Sequence, residues 1–82
     1  MLNHSTTQQT KEARRTQLEA QKLLWDAFEK FQEICETKGL KTSEEYDREH
    51  KVHYYCREWL GTLHDLLKDA GDGRSLAVQA VL

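Results

Sequence analysis

The chain is predicted to be all-α: an antiparallel hairpin of two long helices with a short carboxy-terminal helix, open to pairing with a second copy into a four-helix bundle. Three observations predict it. From Ser43 to Ala70 the apolar residues Val52, Cys56, Trp59, Leu60, Leu63, Leu66 and Leu67 recur at helical spacing, which alternation of period two fits poorly. Proline is absent and glycine occurs four times in 82 residues, so little interrupts a helix. A stop signal, Lys38-Gly39-Leu40, is followed at once by a start signal, Thr42-Ser43-Glu44-Glu45, and so short a connection makes the flanking helices antiparallel neighbours.

Residues 1–9 are polar and lack periodicity, so the reading gives them to a flexible arm that precedes a single helical domain, residues 10–82. The first helix is expected over about 10–38. Its stripe is Ala13, Gln17, Ala20, Leu24, Ala27, Phe28, Phe31 and Cys35, bordered by Leu23 and Ile34. The stripe is thin before Leu23, so the weight of the core falls on the second half of this helix. Gly39 then supplies a left-handed residue, and Leu40 can fold back over the last turn. Thr42 and Glu45 have the spacing of a capping box for the second helix, expected over about 43–70. Ala70-Gly71 ends it, Asp72-Gly73-Arg74-Ser75 is turn chemistry, and a short helix is expected over about 75–82.

The totals bound the function. The net charge is −2, with residues 1–22 at +2, residues 26–49 at −4 and the remainder balanced. This gives no general attraction to nucleic acid. No apolar run approaches the ~20 residues that span a bilayer. Two cysteines, Cys35 and Cys56, fall on the apolar stripes, where a thiol acts as a small hydrophobe. No secretory h-region is visible, and the expected location is the cytoplasm.

Catalytic patterns are lacking. There is no phosphate loop, nucleophile elbow or dinucleotide fingerprint, and Cys56 with His53 has no third group to orient the histidine. The chain is therefore read as non-enzymatic and without a cofactor. Its expected role is stoichiometric binding of a larger protein, as a regulator, inhibitor or adaptor. Candidate contact residues are those outside the core stripe. Leu18 and Trp25 share one line of the first helix. On the second, Tyr46, His50, His53, Arg57 and His64 follow one flank, with Tyr54 beyond them. Two alternatives accompany this reading. Lys11, Arg14, Arg15 and Lys22 form a sparse basic region for nucleic acid, which the acidic balance of the chain disfavours. His50 and His53 could share a metal ion from adjacent turns, but one helix cannot bring Cys56 or His64 to the same point.

Overall fold

The computed structural model describes residues 2–82, with side chains from Ala13 onward. Four helices follow one another: α1 (Leu2–Lys38), α2 (Ser43–Glu49), α3 (Tyr55–Asp69) and α4 (Ser75–Gln79). No strand occurs among the described residues. Helix α1 runs the length of the molecule, whose longest dimension is 55 Å, as expected for 37 residues at ~1.5 Å each. Its helical backbone begins at Leu2 rather than near residue 10. Met1 of the expected arm lies outside the described residues.

Helix α3 is the centre of the fold and packs against each of the other three. It lies along the second half of α1 in the opposite sense. Asp69 and its successor Ala70, at the end of α3, adjoin Gln17 and Gln21 of α1, while Trp59 meets Phe31 edge-on at 6.3 Å. The core between them is Phe28, Phe31, Cys35, Cys56, Leu60, Leu63 and Leu67, all buried, with Val78 of α4 completing it. These residues recur at three- and four-residue steps on their helices, so one face of each is dry and the other wet.

The ends of α1 and α3 are built as their residues dictate. Gly39 takes φ +71° and the Leu40 N–H donates to the Cys35 carbonyl at 2.9 Å. Gly71 takes φ +68° and the Asp72 N–H donates to the Leu67 carbonyl, also at 2.9 Å. Both are glycine stops in which a left-handed residue lets the chain return bonds to the last turn. The start of α2 is also local. The Glu45 N–H donates to Thr42 Oγ1 at 3.2 Å, and the Glu45 carboxylate reaches back to the Lys41 N–H at 2.7 Å. This is a capping box whose return bond falls one residue early. A longer link secures α2: the Ser43 N–H donates to the Val81 carbonyl at 2.7 Å.

The expected single helix over 43–70 is not formed. It divides at His50, and residues 51–54 make a corner containing two left-handed residues, Lys51 at φ 57° and Tyr54 at φ 63°. The reason is the buried carboxylate of Asp47. It accepts the Cys56 N–H at 2.9 Å and the Arg57 N–H at 3.3 Å, which are first-turn donors of α3. Tyr54, the residue at the cap position, makes no side-chain cap bond of its own. One aspartate on α2 thus does for α3 what a local cap does elsewhere, and the chain must turn back to bring the two together. Val52, placed in the core by the helical pattern, stands on this corner and is exposed. The last helix is also shorter than expected and ends at Gln79.

Candidate functional site

The break in the second helix disperses the expected contact flank. Tyr46 and His50 remain on α2. The Tyr46 ring packs against Phe31 at 5.2 Å, and the His50 ring stacks on Tyr46 at 4.1 Å. His50 Nδ1 donates to the Tyr46 carbonyl at 2.9 Å, and Lys38 Nζ lies 3.5 Å from His50 Nε2. A carbonyl only accepts, so Nδ1 carries the proton and Nε2 is free to accept from the lysine. His53 and Tyr54 sit on the corner, edge to face at 4.3 Å, beside Glu44 and Arg48. Arg57 is exposed on α3, and His64 is half-buried with Nδ1 3.3 Å from Asp65. His50 and His53 no longer share a helix. No group of three or more metal-ligating side chains occurs among the described residues.

On α1 the two expected residues part company. Trp25 packs against Phe28 at 5.1 Å, and the Arg74 guanidinium lies over its ring at 4.6 Å. Arg74 is held there by a forked bond to Asp72, at 2.9 Å from Nε and 2.7 Å from Nη2. That bond holds the Asp72 carboxyl below its ordinary range. The indole is therefore taken up within the chain by a cation–π contact. Leu18 is 56% exposed and lies among Arg14, Arg15, Glu19 and Lys22. These bases of the alternative reading are exposed around an apolar residue with an acid between them. The Lys11 side chain lies outside the described ones.

The apolar surface that the fold leaves open lies elsewhere. A groove of about 430 Å³ is lined by Leu24, Ala27, Lys30, Phe31 and Ile34 of α1, Tyr46 of α2, and Tyr55 and Trp59 of α3. Tyr55 is 68% exposed, and Leu23, next to Leu24 on α1, is 70% exposed. Large apolar side chains gathered along one groove are the mark of a contact surface, whereas the same residues scattered are not. Of the expected contact residues, Tyr46 alone lies in it. The sequence pattern places Leu23, Ile34 and Trp59 in the core or at its border. A second repeat on α1, Ala20, Leu23, Ala27 and Ile34, was the signal that could have found the groove.

The two thiols take no part in this surface. Cys35 and Cys56 are free and buried. Burial, with Asp47 and then Cys35 nearby, pushes the Cys56 thiol up to about 12. Burial raises Cys35 in the same way, with Glu45 adding to it. An unfolded thiol ionises near 9.0. Between that value and about 12 the folded chain therefore holds a proton that the unfolded chain has lost, so stability falls as pH rises through this window. Urea midpoints measured from pH 8 to pH 11 are expected to be flat at first and then to fall. In Cys56→Ala the fall should be shallower, with Cys35 and Tyr46, whose hydroxyl burial also raises, accounting for the rest.

No helix among the described residues is long and apolar enough to cross a membrane. No family model matches the chain, and comparisons with curated proteins and with solved structures give no match, so the functional reading rests on the residues themselves.

Proposed function

We propose that the protein is a non-catalytic binding module that regulates, inhibits or adapts a larger protein partner in the cytoplasm. The observation that carries the reading is the groove between α1 and α3, with Tyr55 exposed in its lining and Leu23, the residue before Leu24, exposed on the same helix. A domain this small stabilises itself by only about 3–5 kcal/mol from one core, and leaving such side chains in water gains it nothing. Covering them with a partner returns the transfer free energy of both, and aromatic anchors such as Trp59 and Tyr55 are favoured at such contacts. Of the contact residues that the sequence predicts, Trp25 is occupied by Arg74, whereas Leu18 and Arg57 are exposed outside the groove. Pairing of two copies is the competing use of the same face.

The test is a pair of exposed substitutions. Leu23→Ser and Tyr55→Ser should leave the circular dichroism spectrum and melting temperature within a few degrees of wild type, since neither side chain is buried. Each should weaken partner binding, measured by titration calorimetry, by about 1–2 kcal/mol. Unchanged binding in both variants would remove the groove from the interface.

A further inference from the structure

We infer that Cys35 and Cys56 are a redox-responsive pair, which a small-molecule disulfide such as oxidised glutathione converts into a bridge between α1 and α3. The placement follows from the register of the two helices. They run in opposite senses, and Phe31 of α1 meets Trp59 of α3 at 6.3 Å. Cys35 lies one turn after Phe31, and Cys56 lies one turn before Trp59, so both come to the same level of the pair. Ile34 and Tyr55, the residues just before them, line one groove at that level. Both cysteines stand on the dry faces of their helices. Cys35 is 7% exposed, Cys56 is fully buried, and they belong to one core cluster. Packed helices lie ~8–10 Å apart with their Cα atoms ~2.3 Å from each axis, which leaves facing Cα atoms ~5 Å apart. A disulfide spans ~4.4–6.8 Å between Cα atoms.

Tyr46 of α2 gives a second sign of proximity. Its ring packs on Phe31 at 5.2 Å. Burial raises its hydroxyl, and Cys56 and Cys35 both add to the rise, so the two thiols share one neighbour.

The exchange is complete with glutathione alone. One cysteine, as the thiolate, attacks a sulfur of the glutathione disulfide, forming a mixed disulfide and releasing one glutathione thiolate. The second cysteine thiolate then attacks the sulfur of the first and releases the other. Two electrons pass from the chain to the small disulfide, and the two protons lost by the cysteines go to the two glutathione thiolates. Burial keeps both thiols protonated near neutral pH, so exchange waits for the last turn of α1 to part from the first turn of α3. Once made, the bridge closes the loop that holds α2 and the left-handed corner at Lys51 and Tyr54. It fastens the segment that otherwise depends on the Asp47 carboxylate. In a reducing compartment such a bridge is transient and follows the redox state of its surroundings.

The experiment equilibrates the full chain in glutathione buffers of rising oxidised-to-reduced ratio, blocks the remaining thiols by alkylation, and locates bridges by mass spectrometry of peptides. The expected product is a bridge between Cys35 and Cys56 within one chain. It should raise the melting temperature by at least about 10 °C, and dithiothreitol should reverse the rise. Cys35→Ala, compared with its own reduced form, should show no rise. Cysteines that stay reduced at every ratio would overturn the inference. So would glutathione adducts without a bridge, bridges between chains only, or a bridge that leaves the melting temperature unchanged or lowers it. An equal rise in Cys35→Ala would overturn it as well. Should that variant fail to fold, the peptide map and melting temperature of the unsubstituted chain decide the matter.

Discussion

Phe31→Ala is expected to leave the chain largely unfolded at physiological temperature. The Phe31 ring is 2% exposed and stands where three helices meet, 6.0 Å from Phe28, 5.2 Å from Tyr46 and 6.3 Å from Trp59. Truncating a buried phenylalanine costs about 3–5 kcal/mol, from lost transfer energy and from the cavity that remains. That equals the whole stability of about 3–5 kcal/mol that a core of this size supplies. The loss will not be softened by collapse, because the rings around the cavity are fixed from three helices at once. Chemical denaturation by urea, followed by circular dichroism at 222 nm, should show either no native baseline or a midpoint near zero denaturant. A midpoint within a few tenths molar of wild type would mean that the aromatic cluster is not the centre of the core. Leu23→Ser, on the same helix but exposed, is the matched control.

Asp47→Ala should be nearly as damaging although it removes no apolar contact. The aspartate is 4% exposed and its two oxygens answer the amides of Cys56 and Arg57. Alanine would leave first-turn donors of α3 without partners at a buried site, at about 1–3 kcal/mol for an unanswered group. The corner at Lys51 and Tyr54 is also held in the left-handed region by this bond, at a cost of about 1–2 kcal/mol for each such residue. With the bond gone, residues 50–55 are released to other conformations. A loss of about 2–4 kcal/mol is expected, which for a domain of this size moves the melting temperature by more than about 10 °C. Asp47→Asn, which keeps one acceptor oxygen, should recover about half of the loss. If the alanine variant melts within about 3 °C of wild type, the cap does not hold the corner.

Asp47 also marks the limit of what the sequence discloses. Gly39, Thr42 and Gly71 were legible because each acts on residues within one turn of itself, and the structure has the same stops and start. The alternation of Leu60, Leu63 and Leu67 likewise located one face of α3. The break at His50 was not legible from periodicity, since Tyr46, His50, His53 and Arg57 fit a continuous helix well. What overrides that pattern is a side chain bonding nine residues ahead, a contact that periodicity does not contain. A weaker signal was present: His50, Val52, His53, Tyr54 and Tyr55 are all poor helix formers, and together they lower the cost of leaving the helix. The groove was hidden for a related reason. Leu23 and Ile34 stand at the border of the apolar stripe of α1 and Trp59 on that of α3, and periodicity does not tell which border the packing of α3 on α1 leaves open.

The central position of α3 carries a consequence for how the chain reaches this state. It is joined to α2 on one side and to α4 on the other by short connections, and it touches both. Two of its three partnerships are therefore available soon after the chain begins to order, with little loop entropy to overcome. Only the docking of α1 requires more distant residues to meet. Assembly from near neighbours is the pattern of chains that fold in microseconds to milliseconds, and it leaves little time for exposed leucines and aromatics to find the wrong company.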